Sequence, residues 1–163
     1  MGWLKRMHVL VPPDPAPEAG LPLVRSDGRR EWWVEGRLHR EDGPAIVDLS
    51  GAEEWWLEGQ RHRVDGPAVE LPGGTREWYL EGRLHRTDGP AVEAAAGMRF
   101  WYRDGQLHRE DGPAAVWPDG LRRWFLEDRE FDEPGFRDEL ELRALVAVAL
   151  SLGPRERPSA LAG

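Results

Sequence analysis

The chain has no cysteine, which excludes a disulfide framework and any thiolate chemistry. It has no excess of positive charge: 22 Lys and Arg stand against 30 Asp and Glu, a formal net charge of −8. Phosphate binding needs a basic footprint, so this balance argues against nucleic acid. It equally disfavours an anionic membrane surface. Long apolar runs are missing too. The longest, Ala144 to Leu150, falls far short of the roughly 20 residues a membrane span requires. The first residues, Met1 to Val11, lack a long apolar stretch ending in small residues and are read as no signal peptide. A cytoplasmic, reducing location is the expectation. No glycine-rich phosphate loop precedes a helix, and no Ser or Cys nucleophile sits in a recognisable setting.

What is present is tryptophan, nine residues in 163, and it is periodic. Trp32, Trp55, Trp78, Trp101 and Trp124 follow one another at intervals of 23. Around them the stretch Glu31-Trp32-Trp33-Val34-Glu35-Gly36-Arg37-Leu38-His39-Arg40-Glu41-Asp42-Gly43-Pro44-Ala45 returns at 54–68, 77–91 and 100–114, with a worn fifth copy from Arg123. A fixed period of this length marks a repeat array. Residues 22–28 match the back half of a unit, so the array opens on a half repeat.

Each unit reads as a hairpin. Glu35-Gly36, Glu58-Gly59, Glu81-Gly82 and Asp104-Gly105 are two-residue turns with Gly where positive φ is cheap. Such a turn pairs 34 with 37, 33 with 38, 32 with 39 and 31 with 40. It therefore predicts Glu31 opposite Arg40, Glu54 opposite Arg63 and Glu77 opposite Arg86. In the fifth copy it sets Arg123 opposite Asp132 and Trp124 opposite Phe131. The Arg-x-Asp-Gly-Pro-Ala that follows should kink the second strand, because Pro cannot donate to a ladder. The expected fold is all-β: an elongated antiparallel meander of 23-residue hairpins over 21–132 with a capping helix at 133–153. Asp132 should cap that helix and Gly153-Pro154 end it. Its second half is apolar nearly all round, so burial against the sheet is expected. Residues 1–20 read as an arm and a Pro-rich extended linker. Residues 154–163 read as a disordered tail.

These residues resemble the MORN repeat family, most closely its variant form in bacterial and viral proteins, which includes antitoxin-type proteins of the YwqK group. The resemblance is carried by the 23-residue period, the aromatic three before Gly (Trp33 to Gly36, Trp56 to Gly59), and the His three after it (His39, His62, His85, His108). It covers roughly residues 21–132. Where the family has Gly-x-Gly after His, this chain has Arg-x-Asp-Gly-Pro. The resemblance implies an elongated antiparallel sheet, a scaffold or binding role, and no catalytic residue.

Two aromatic columns follow from the alternation of a strand. Trp32, Trp55, Trp78, Trp101 and Trp124 are expected in the repeat core, with His39, His62, His85 and His108 facing the first four and Asp42, Asp65, Asp88 and Asp111 in the turns beyond. Burial of one such ring removes about 150–250 Å² from water, roughly 4–6 kcal/mol gross at ~25 cal/mol/Å². Trp33, Trp56, Tyr79, Tyr102 and Phe125 point to the other face. A single-layer sheet hides both columns poorly, so this second column is the candidate partner-binding surface. Metal binding is not expected. Equivalent His residues lie two strands apart, about 9–10 Å, whereas zinc takes ligands at about 2 Å. Every unit offers nearly the same groups, whereas an active site needs one asymmetric constellation. The expectation is thus a non-enzymatic binding module with no cofactor. Its partner is a protein, and the acidic surface favours a basic one. Carbohydrate or small-ligand binding through exposed aromatics, or a purely structural role, is the alternative. The sheet edge and the apolar helix each offer a surface for a homodimer.

Overall fold

The computed structural model describes residues 20–151. The N-terminal arm, most of the Pro-rich linker and the C-terminal tail lie outside the described residues. One antiparallel sheet of 11 strands runs the length of the array, each strand beside its sequence neighbour in that sheet. It opens with Leu23–Val24 and Arg30–Glu31 and closes with Arg122–Leu126 and Arg129–Phe131. Between them each full unit adds two short strands, such as Ile46–Val47 and Glu53–Glu54. Four separate hairpins project beside this sheet: Trp33–Val34 with Arg37–Leu38, Trp56–Leu57 with Gln60–Arg61, Tyr79–Leu80 with Arg83–Leu84, and Tyr102–Arg103 with Gln106–Leu107.

The hairpins keep the expected register. Val34 pairs with Arg37 and Trp33 with Leu38, and the His39 N–H donates to the Trp32 carbonyl at 3.0 Å. The turn differs in one respect. Both of its residues take positive φ, so Glu35 (47°), Glu58 (49°), Glu81 (50°) and Asp104 (51°) are left-handed as well as the glycines that follow. That is the paired left-handed turn which matches strand twist. The fifth turn, Glu127-Asp128, manages it with no glycine, at 52° and 65°.

Beyond Trp32 the expected register fails. Glu31 lies opposite Ile46 on one side and Leu23 on the other, not opposite Arg40. Glu54 and Glu77 are paired likewise with Val69 and Val92 among their neighbours. The cause is the Arg-x-Asp-Gly-Pro segment. It leaves the ladder at residue 40 and rejoins it at Ala45, whose carbonyl accepts from the Trp32 N–H at 2.9 Å. Five residues are thereby looped out of the return strand. In the last unit the strand Arg122–Leu126 is unbroken and Trp124 does sit opposite Phe131. The ladder stops there, short of Asp132, and the Arg123 ion partner is Glu130 at 3.5 Å.

Units are joined through the main chain. The Ala45 N–H donates to the Glu54 carbonyl at 2.8 Å, Arg40 to the Trp56 carbonyl at 3.0 Å, and Gly59 to the Leu38 carbonyl at 2.9 Å. The same bonds recur down the array. Ala45, Ala68, Ala91 and Ala114 are fully buried at these junctions. At the start of the array Trp33, Leu38 and Ile46 form a buried cluster, with Leu23 and Trp56 packed on it.

Helix α1 (Glu133–Ser151) packs on the closing strands. Asp132 caps it: its carboxylate accepts the Gly135 N–H at 3.0 Å. Phe136 is its buried anchor, and Arg143 reaches Glu127 in the last turn at 3.0 Å. The expected burial of the second half is not found. Leu142, Leu145, Val146, Val148 and Leu150 are all exposed, Leu150 by 78%. A sheet end two strands wide covers only the first turns of a 19-residue helix, and the rest runs past it. No described helix is long and apolar enough to cross a membrane. Phe136→Ala should therefore cost about 3–5 kcal/mol, while Leu145→Gln should stay within about 0.5 kcal/mol. Chemical denaturation of the two variants checks this; a large loss with Leu145→Gln would show a covered helix.

Candidate functional site: a row of indole and guanidinium slots

The looped-out segment builds the most repetitive surface of the molecule. In each unit its arginine folds back over the tryptophan eight residues earlier. The guanidinium carbon lies 4.1 Å from the Trp32 ring centre for Arg40, 4.0 Å from Trp55 for Arg63, 3.9 Å from Trp78 for Arg86, and 4.1 Å from Trp101 for Arg109. Such a cation over an indole face contributes about 0.5–2 kcal/mol, according to exposure. Two hydrogen bonds fix the pose. Arg63 Nε donates to Asp65 at 3.0 Å and its Nη1 to the Pro67 carbonyl at 3.2 Å. Arg40, Arg86 and Arg109 bind Asp42 and Pro44, Asp88 and Pro90, Asp111 and Pro113 in the same way.

This accounts for the Asp-Gly-Pro-Ala signature. Asp and the Pro carbonyl hold the arginine. Gly lets the guanidinium close down: a Cβ on Gly66 would meet Arg63 at 2.9 Å, and one on Gly89 would meet Arg86 at 3.0 Å. Ala follows at the fully buried junction with the next unit. The arginine beside each acid also holds the Asp42, Asp88 and Asp111 carboxyls below the usual carboxylate range, the hydrogen bond being the first cause in each.

Between one arginine loop and the next tryptophan lies a slot. Four form a continuous row in which neighbours share a loop. The first, about 280 Å³, is lined by Trp32, Trp33, His39 and Arg40 together with Gly20 and Leu21. The second, about 520 Å³, lies between the 40–44 loop and Trp55. The third, about 510 Å³, lies between the 63–67 loop and Trp78. The fourth, about 640 Å³, lies between the 86–89 loop and Trp101. The tryptophans of this column, expected in the core, are half-buried, and Trp32, Trp55, Trp78 and Trp101 furnish the slot walls.

The other column sits deeper at its start. Trp33 is buried, while Trp56, Tyr79, Tyr102 and Phe125 are half-buried. Its polar tips are held by the acid column. Glu31 accepts from Trp33 Nε1 at 3.0 Å, Glu54 from Trp56 Nε1 at 3.0 Å, and Glu77 from the Tyr79 hydroxyl at 3.0 Å. The acids thus orient aromatics instead of facing the loop arginines. Glu54 meets Arg61 at 3.0 Å, and Glu31 meets Arg25 at 2.8 Å. Burial raises the Glu31 carboxyl, but the hydrogen bonds from Arg25 and Trp33 and the Arg29 and Arg25 charges outweigh it, so the net shift is downward. Burial, then Glu77, push the Tyr79 hydroxyl up.

The histidines clamp neighbouring units together. Nδ1 of His39, His62, His85 and His108 accepts the backbone N–H of Glu58, Glu81, Asp104 and Glu127, at 3.2–3.3 Å. Each therefore bonds the left-handed turn residue of the next unit, and the same nitrogen of His39 and His85 lies 3.0 Å from the Glu58 and Asp104 carboxylates. Among the described residues no three His, Asp or Glu side chains converge on a metal position. Of the slot residues, the arginines were missed as ring covers. Their constant offset of eight residues after tryptophan was the available signal. Set against known protein families, curated proteins and solved structures, the chain matches none.

Arg63→Met should cost about 1–2 kcal/mol and shift the Trp55 indole resonance more than any other. Gly66→Ala, which displaces the same guanidinium, should shift that same resonance. Glu31 gives the pH dependence. Its folded pKa lies below the unfolded value of about 4.3, so its stabilisation is complete above that value and is lost as pH falls through the lowered one. Acid denaturation followed by circular dichroism should show a shallower pH slope for Glu31→Gln than for the parent chain.

Proposed function

We propose that the array is a non-enzymatic protein-binding module of the MORN-variant kind, an antitoxin- or immunity-type neutraliser of a basic partner. One observation carries this reading: four slots in line, each with an indole wall beside a guanidinium and a carboxylate and the last three built alike, on a chain of net charge −8. Aromatic and arginine side chains presented on a rigid frame are what binding hot spots are made of. The uncompensated acidic charge steers a basic protein toward them. Binding is favoured over catalysis because every slot offers the same groups, with no asymmetric pair of acid and base. The half-exposed indoles beside Asp carboxylates also support a second reading, a carbohydrate-binding surface. The apolar stripe of α1 offers a contact for a second copy of the chain.

The test is capture of small basic proteins by the immobilised chain. Capture is expected at low salt and should be lost near 1 M, where the screening length is about 3 Å. A Trp78→Ala, Trp101→Ala variant should capture at least about tenfold less, the equivalent of ~1.4 kcal/mol. Capture that survives both changes, or none at low salt, rejects the proposal. Indole fluorescence shifts with glycans alone would transfer the site to the second reading.

A further inference from the structure

The acidic charge is not spread evenly along the chain. Residues 127–143 hold eight Asp and Glu against three Arg, a net −5 where the whole chain has −8. The slot loops have no such excess, because each of their arginines already holds an aspartate. The field that steers a basic partner is therefore strongest at α1 and the hairpin before it.

Helix α1 has two faces. One packs on the array: Phe136 is buried, and Glu139, Leu140 and Arg143 are half-buried. The other looks outward. Leu142, Leu145, Val146 and Ala149 recur at i, i+3, i+4 and i+7, which is a single stripe. All four are exposed, Leu145 by 68%. Asp138 and Glu141 stand four residues before Leu142 and Leu145, so they extend the same stripe by one turn. Both are exposed. Neither has an ion partner among the described residues, whereas Glu133 and Glu139 are taken by Arg137 and Arg143.

We infer that this stripe seats an amphipathic helix of the basic partner, laid antiparallel on α1. The inference rests on the reading of the partner as basic, and it adds a second contact to the slots. Anchors at i, i+3, i+4 and i+7 are how one helix docks on another apolar surface. An antiparallel helix brings its last turn to Asp138 and Glu141, and the last turn is where its own dipole favours Lys and Arg. A second copy of the chain fits worse. Laid parallel, it sets Asp138 and Glu141 against themselves. Laid antiparallel, it offers them the stretch 144–151, which carries no charge. Area is short as well. Leu142, Leu145, Val146, Val148 and Leu150 supply at most roughly 600 Å², at ~120 Å² a side chain, against about 800 Å² per partner in a stable pair. A basic partner adds the ion pairs and its hold on the slots.

The probe is a fluorescent synthetic helix with Leu at i, i+3, i+4 and i+7 and Lys through its last turn, added to the full chain and followed by anisotropy. Binding is expected at low salt. Leu145→Gln, which should leave the fold intact, should weaken it at least about tenfold. Asp138→Asn with Glu141→Gln should do the same and remove most of the salt dependence. A peptide with Glu in place of Lys should not bind. No binding of the Lys peptide, or binding that both α1 variants leave unchanged, overturns the inference. So does a chain that sediments as a dimer and becomes a monomer with Leu145→Gln, because a second copy then holds the stripe. Binding that appears only after Arg155→Glu and Arg157→Glu overturns it too, because the chain's own end then holds it. The two proposals fail separately: the peptide reports on α1, and capture by the Trp78→Ala, Trp101→Ala variant reports on the slots.

Discussion

Every unit of this protein is completed by the next one. Ala45 gives its carbonyl to Trp32 of its own unit and its N–H to Glu54 of the following unit, and it is wholly buried in doing so. His39 reaches forward in the same way to the turn at Glu58. Each of the first four hairpins pairs its own strands and also bonds the unit that follows. The array is accordingly a one-dimensional structure in which stability comes from neighbour contacts and the ends need special treatment. At one end a half unit supplies Leu23–Val24 as the partner of Arg30–Glu31. At the other, α1 lays Phe136 on the closing strands.

The slots are a by-product of this joining. Ladder geometry demands that Ala45 sit beneath the next unit, so the preceding five residues have to go elsewhere. They fold outward, and the arginine at their head lies down on the tryptophan it has just passed. Asp, Gly and Pro each serve that pose: a carboxylate for Nε, room for the guanidinium, and a carbonyl for Nη1. One structural requirement, repeated without change of spacing, thus yields a surface with regular chemistry.

Local geometry was legible in the sequence; departures from the ladder were not. The two-residue turns fixed Val34 with Arg37 and Trp33 with Leu38, and the Asp132 cap was readable from its place before Pro134. The charge pattern misled. Glu31 and Arg40 look like cross-strand partners, but Glu31 bonds the indole two residues on, and Arg40 leaves with the loop. A strand pattern carries no mark for residues that exit the ladder and return. The helix misled for a different reason. Leu145 and Leu150 are apolar enough to be buried, yet burial also needs a surface opposite, and the array ends before them.

The left-handed residue that opens each turn is an acid in every unit: Glu35, Glu58, Glu81, Asp104 and Glu127. These stand in file along the hairpin tips, about 9.6 Å apart. That interval is close to the screening length at physiological ionic strength, about 8 Å, whereas in 0.01 M salt the length grows to about 30 Å. At physiological ionic strength each tip charge is nearly blind to the next; in dilute buffer the middle one feels all four others. Glu58, Glu81 and Glu127 each meet an arginine, so along this flank attraction to those cations and repulsion between neighbouring tips both strengthen in dilute salt and fade together as salt is added.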